Sequence, residues 1–426
     1  MPTFNQFQNG IAKSKADQNG FDNIINGDVH LELGSFSPQL ALTLESIAVD
    51  EVCLQAITPS GTIYLFSKTS GKIWKRTLAG TYSSLTANAN TAGHAGANYF
   101  NGFVYYWTST KLGKFVAETE ASRNDSFGTA NRSNFTASAI LNLNLFIGDG
   151  NQIAKVDVNG TFSTNALDLP LEYNVSALKA EKYDLLIGTY IGAYVHHCRV
   201  FLWDTYSDSW TVEDEIPENG VNTFINCDEV TVAQCGDAGK LYYWTGVSMT
   251  LFDSELRDEI TNFISSSRFG YQVSTVFGSR PLIAVGQYIY SIYRKFNSLN
   301  FAVVKEYTAT GNAIQSIIVA GTQLVVSHEN GIDKIATTYA TATIDTPEVI
   351  GSSNNVIVDY ETYPNGIGIA TKLNGGAYIA QTPIIDTINK KVYFNGSLAD
   401  CVTLQARITL TPSGANVPKI KAISIV

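Results

Sequence analysis

Charge is scarce in this sequence: Asp, Glu, Lys and Arg together make up only 15% of the 426 residues. The balance is acidic, with a net charge of −10 and no arginine-rich or basic tract, which argues against nucleic acid as the main partner. Long runs of Glu, Lys, Ala and Leu, the material of helices, are missing. Methionine occurs twice and cysteine five times, at Cys53, Cys198, Cys227, Cys235 and Cys401. An odd, scattered set in so long a chain does not make a disulfide framework, and buried thiols are expected. No apolar run reaches 18 residues, so no membrane-spanning helix is expected, and the opening MPTFNQFQNGIAKSKADQNG lacks the apolar core of a signal peptide.

What is abundant is β-forming. Hydrophobic residues make up 45% and aromatics 11%, with 22 Tyr and 21 Phe. Tyr, Phe, Val, Ile and Thr suit pleated, half-buried surfaces, so the chain reads as all-β. The stretch GTIYLFSKTSGKIWKR (61–76) shows the unit: a strand with Ile63 and Leu65, a polar turn ending in Gly71, and a second strand with Ile73 and Trp74. Similar units recur about every 40 residues to about residue 337, including FVYYWTS, QIAKVDV, CRVFLWDT, KLYYWTG and YIYSIYR. About seven such units, with six or eight as alternatives, predict a β-propeller, whose sheets bury both faces only by stacking around an axis. A strand within residues 36–46 is expected to close the ring by joining the last blade. VFLWDTYSDSWT in the fourth unit resembles the kelch repeat in pattern, with an aromatic before Asp and a later Trp.

Three regions follow: a polar docking arm over 1–44, the propeller over 45–345, and a small β-sandwich over 346–426. The border is read at DTPEVIGSSNN (345–355). Beyond it the strands alternate. Leu404, Ile408 and Leu410 are expected to face inward, and Gln405, Arg407 and Thr409 to face solvent or a partner. A helix is expected only over Ser254–Ser267. The arm carries isolated apolar positions, Phe4, Phe7, Ile11, Phe21, Ile24 and Ile25, set in polar sequence. They read as contacts to something outside the arm, and removal of residues 1–35 is expected to leave a folded monomer.

Chemistry is hard to find. There is no Asp-box of the sialidase kind, and no nucleophile-elbow, Walker or Rossmann pattern. Glu213, Asp214 and Glu215 read as solvated loop charges. His196, His197 and Cys198 are adjacent, and neighbours on a strand point to opposite faces, so the three cannot hold one metal. Asp149 in the Gly-Asp-Gly of 148–150 reads as part of a solvated hairpin turn, with a calcium site as the alternative. Tyr105, Tyr106, Trp107 and Tyr242, Tyr243, Trp244 suit packing between blades, with carbohydrate platforms as the alternative. No catalytic, metal or cofactor residues are assigned.

Two segments carry a resemblance. FNQFQNGIAKSKADQNGFDNIINGDVH resembles the polar opening of tail components of tailed bacteriophages, such as tail-tube nozzle proteins. VTLQARITLTPSGANVPKIKAISIV is similar to the last strand pair of β-sandwich modules in phage tail and fibre proteins, with its Leu404-Gln405-Ala406-Arg407 strand, polar turn, Pro and final alternating strand. The resemblance implies a non-enzymatic structural virion protein of the tail, synthesised in the host cytoplasm. It would form a ring or trimer and contact other tail proteins, with host attachment through a surface glycan as a further role; the alternatives are a glycan-binding adhesin and a polysaccharide-degrading enzyme. Phe4, Phe7, Ile11, Phe21, Ile24 and Arg407 would then lie at inter-subunit contacts.

Overall fold

The computed structural model describes residues 3–4, 21, 23–29, 35–46, 49, 51–90, 92–192, 195–236, 239–253, 272–294, 301–350, 355–395 and 403–426. The helix expected over Ser254–Ser267 lies outside these residues. Among those described, the sole helical element is the short turn Pro364–Gly366, and everything else regular is strand. No described helix is long and apolar enough to cross a membrane. The chain forms two compact units.

The first unit, Leu44–Gln287 with Thr310–Lys334, is a seven-bladed β-propeller. Its blades begin with the strands Cys53–Ile57, Gly96–Phe100, Phe135–Leu141, Asn174–Glu181, Val221–Cys227, Ser274–Phe277 and Ile314–Ala320. Each of these packs beside the next, and the seventh returns to the first, so the ring is closed. Blades 1 to 5 are antiparallel four-stranded meanders. Blade 6 contributes the hairpin Ser274–Phe277 and Arg280–Val285, and blade 7 the strands that begin at Ile314, Gln323 and Gly331. The fourth strand of blade 7 is Leu40–Ser46, taken from ahead of blade 1, so the closing strand falls where the sequence placed it.

Strand alternation explains why aromatics crowd the second strands. In Phe103–Trp107, Tyr106 packs with Tyr64 and Phe66 of blade 1, while Tyr105 and Trp107 pack with Phe135 and Leu145 of blade 3. One strand thus fills both of its blade's interfaces, and all three side chains are buried. Tyr242 and Trp244 likewise pack with Val200 and Leu186 of blade 4.

Hydroxyls near the start of the first strands fasten neighbouring blades. Thr136 donates to the Val175 carbonyl at 3.0 Å, Ser176 to the Val221 carbonyl at 2.7 Å, and Ser316 to the Cys53 carbonyl at 2.8 Å. Each lies at a register shift of its strand, where a bulge re-aims the side chain. Gly148 and Gly188 face these joints. A Cβ on Gly188 would stand 2.6 Å from Val221 Cβ, so the close approach of the next blade requires glycine there.

In blades 3, 4 and 5 the unbroken runs SAILNLNLFIGD, VSALKAEKYDLLIGTY and VNTFINCDEVTVAQCGD each hold two strands. In blade 3 the turn is Asn142-Leu143, with φ of 50° and 58°. It carries no glycine, so the usual hairpin signal is absent.

The second unit gathers Met1–Thr43, Tyr288–Ala309 and Ile335–Val426. It is a two-sheet sandwich. One sheet runs Tyr288–Arg294, Phe301–Thr308, Asn23–Ile25, Ala342–Asp345, Thr403–Leu410, Ile367–Leu373, Ile379–Gln381. The other runs Thr3–Phe4, Lys419–Ile425, Asn355–Thr362, Lys391–Asn395, Ile384–Asp386. Their facing side chains make one core, with Leu404, Ile408 and Leu410 from the first sheet and Val356, Val358, Ile420 and Ile423 from the second. The boundaries of this unit differ from those read from linker composition, because strands remote in sequence share its core.

Candidate assembly and binding surfaces

Of the arm residues expected at a subunit contact, Phe7 and Ile11 lie outside the described residues. The other three are held by this chain's own sandwich. Ile24 is fully buried on a strand that pairs with Ile344, and Phe21 is 2% exposed in the same core. Phe4 is half-buried, pairs with Ile423, and its ring lies 6.1 Å from that of Phe21. Burial takes Phe21 and Ile24 off the surface, so their role is corrected from docking to core filling. Each buried side chain of this size contributes about 1.5–3 kcal/mol, and removal of residues 1–35 therefore strips the sandwich core.

Arg407 is not brought together with them. Its Nε and Nη2 donate to the two carboxylate oxygens of Asp345 at 2.7 Å each, and its guanidinium lies 4.1 Å from the Tyr378 ring centroid. The side chain stays 38% exposed. This fork and the stacked ring fix Tyr378, the residue just before the edge strand Ile379–Gln381. Gln405, expected to face outward, is buried and donates to the Thr346 carbonyl at 2.8 Å.

The edges of the two sheets come together in one stretch of chain. Ile379–Gln381 ends one sheet, and after Thr382 and Pro383 the segment Ile384–Asp386 ends the other. No described strand pairs on their outer sides. Yet the stretch is rich in exposed isoleucine: Ile379 is 61% exposed, Ile384 48%, Ile385 37% and Ile388 90%. Proteins commonly blunt such edges with charge, and an apolar exposed edge is a template for another strand. Sequence reading missed this surface because alternating isoleucines look the same at an edge and in a core.

The buried polar groups of the propeller are fasteners. His328 Nε2 lies 3.0 Å from Asp333 Oδ1, and Thr310 Oγ1 donates to the same carboxylate oxygen at 2.6 Å. His328 and Asp333 are wholly buried, so no substrate reaches them. Burial pushes the His94 imidazole down to about 4, and the ring is held by the Ser67 carbonyl and Asn88. Asp149 is not in a solvated turn. It is buried and accepts three backbone N–H groups, from Asn131, Arg132 and Asn134. Glu213, Asp214 and Glu215 are not in a loop but on the outer strand Val212–Ile216, where Glu213 and Glu215 pair with Arg199. His196 and His197 precede the strand that starts at Cys198. Among the described residues no group of three His, Cys, Asp or Glu is placed to hold a metal.

An open pocket of about 180 Å³ lies among the first strands of blades 2 to 6, with Asn98, Ser138, Thr223 and Ser274 on its wall. Gln272 reaches from blade 6 to blades 1 and 2: its Oε1 accepts from the Gln55 N–H at 2.7 Å and its Nε2 donates to the Ala97 carbonyl at 3.0 Å.

Seven stacked blades closed by an N-terminal strand, with a two-sheet sandwich, define a β-propeller protein. Solved structures agree on the propeller. A catalytically inactive virginiamycin B lyase from Staphylococcus aureus is 13% identical, with 70% of this chain and 100% of that chain covered and a TM-score of 0.53. A streptogramin B lyase is 12% identical, with 71% and 98% covered and a TM-score of 0.52. A chain of a mitotic checkpoint complex is 12% identical, with 70% and 91% covered and a TM-score of 0.53. At these identities the likeness concerns the fold alone. No family model and no curated protein matches the chain.

Proposed function

We propose that this protein is a non-enzymatic structural subunit of a virion tail, which assembles with copies of itself and with other tail proteins through its sandwich. The observation that carries this reading is the pair of open sheet edges bearing Ile379, Ile384 and Ile385, with Ile388 in the adjoining turn. Strand addition at such an edge gives main-chain hydrogen bonds for affinity and alternate side-chain contacts for specificity. The resemblance of the two chain ends to phage tail proteins supports the tail as the assembly. A contact repeated around an axis closes into a ring.

Quantitative mass spectrometry of purified particles tests the reading. The expected result is this chain at a fixed copy number relative to the capsid protein, in a multiple of a tail symmetry, and absent from particles made with Ile384→Lys. Particles that lack the wild-type chain would refute it.

A further inference from the structure

One face of the propeller carries the turns between first and second strands and between third and fourth strands. Along it, neighbouring blades are stitched in a repeating way. Thr58, Ser60 and Thr62 of blade 1 donate to Glu118 of blade 2. Asn101 of blade 2 donates to the Val158 carbonyl of blade 3 at 2.8 Å. Asn142 of blade 3 donates to the Tyr183 carbonyl and to Thr205 Oγ1 of blade 4, both at 3.3 Å. The last stitch fastens two turns of blade 4 to one amide. Each presents a tyrosine outward, Tyr183 81% exposed and Tyr206 82% exposed, beside Leu143 at 69%.

The turn that carries Tyr206 is rigid. Asp204 Oδ1 accepts from the N–H groups of Tyr206 and Ser207 and from Ser207 Oγ, at 2.8–2.9 Å. The indole of Trp203 donates to the Ser207 carbonyl at 2.7 Å. Exposed tyrosines on fixed turns offer large contact faces at little entropic cost, and neither ring is needed by the core of its own blade.

We propose that this turn face binds an uncharged glycan, with sugar rings stacking on Tyr183 and Tyr206. The C–H-bearing face of a pyranose complements the negative face of an aromatic ring, and the Thr205 hydroxyl, which accepts from Asn142, keeps its own proton to donate to a sugar hydroxyl. The local charge selects against phosphate-bearing and acidic polymers. Glu181, Asp184, Asp204 and Asp208 outnumber the lysines beside them, Lys182 and Lys179, the latter 3.4 Å from Glu181, and burial together with Asp204 and Glu181 raises the Asp184 carboxyl. A nucleic acid stacking on the same rings needs a cationic groove instead. This inference does not depend on the assembly reading, since the surface lies within the propeller.

Affinity electrophoresis of the purified full chain in gels holding dextran, mannan, galactan or polygalacturonate tests it. The expected result is retardation by at least one neutral polymer and none by polygalacturonate. Tyr183→Ala and Tyr206→Ala should each weaken binding roughly tenfold, about 1.4 kcal/mol, and the double variant should abolish it. Leu171→Ala, equally exposed on another loop, should change nothing. Both tyrosines are exposed, so the variants should keep the circular dichroism of the parent. No retardation by any neutral polymer, retardation that survives the double variant, or equal retardation by polygalacturonate would overturn the proposal. So would self-association lost in the double variant without glycan binding, which would make the face a protein contact.

Discussion

Arg76 and Glu45 form a buried ion pair where the propeller ring closes: Arg76 Nε stands 2.6 Å from Glu45 Oε2, with side-chain exposures of 0% and 6%. Arg76 lies on the third strand of blade 1, and Glu45 on the strand that completes blade 7. Tyr82 and Lys334 also reach Glu45, and Arg76 donates to Gln323 of blade 7. Burial alone would raise the Glu45 carboxyl, but its bonds from Arg76, Tyr82 and Lys334 outweigh that and hold it below its ordinary value of 4.5. Arg76→Met leaves this buried carboxylate with Tyr82 and Lys334 alone and should destabilise the propeller by about 3 kcal/mol. Arg76→Met with Glu45→Met should recover part of the loss. Urea titration of the three variants checks both statements.

Acid sensitivity has a second source in blade 1. Burial would raise Glu51, yet Lys72, Ser67, Ser70 and Thr69 all bond to it and hold it down to about 2. A carboxylate whose folded pKa is depressed adds stability above its unfolded value, and that stability is lost as pH falls towards the folded value. Its contribution should therefore be intact above about pH 4.5 and fade between pH 4.5 and 2. Glu51→Gln should lower stability at neutral pH and flatten this part of the acid titration. A titration of unchanged slope would contradict the assignment.

Blade spacing depends on Gly188. Its added Cβ would meet Val221 of blade 5 at 2.6 Å, and backbone and side chain there are both buried. Gly188→Ala should cost about 1–3 kcal/mol by overpacking. The same change at Gly102 meets nothing within 4 Å, and its effect should come from its φ of +84° alone. Thermal denaturation of Gly188→Ala with and without Val221→Gly, set beside Val221→Gly alone, separates the two causes: relief when the Val221 Cβ is removed marks a packing clash.

The hairpins inside each blade were legible because alternation and turn residues are local signals. Ile63, Leu65, Ile73 and Trp74 are all buried, as their spacing predicts. The run Ser138–Asp149 hid its turn because Asn142-Leu143 adopts positive φ without glycine. The fate of the arm was illegible for another reason. Phe21 and Ile24 look isolated in sequence, and their partners Ile344 and Leu404 lie more than 300 residues away. The hydroxyl fasteners do leave a trace, in Phe135-Thr136 and Val175-Ser176 at the heads of two successive blades. The exposed edge leaves none, since sequence does not reveal which strand lacks a neighbour.

The sandwich core makes its own prediction. Leu404 is fully buried between the two sheets, and a carboxylate there has no partner. Leu404→Asp should raise amide exchange across the sandwich strands Asn355–Thr362, Thr403–Leu410 and Lys419–Ile425. Removal of residues 1–35 should do the same, because it deletes Phe21 and Ile24. Exchange unchanged by the truncation would show that the arm does not belong to this core.

The most direct test of the account is the mass of the full chain in solution by light scattering, set beside that of Ile384→Lys with Ile388→Asp. The single chain has a mass of 46.2 kDa. The account predicts a wild-type mass at a multiple of this value, and a variant that falls to the single-chain mass while its circular dichroism is unchanged. A wild-type chain at the single-chain mass across all concentrations, or an oligomer that the edge substitutions leave intact, would contradict it.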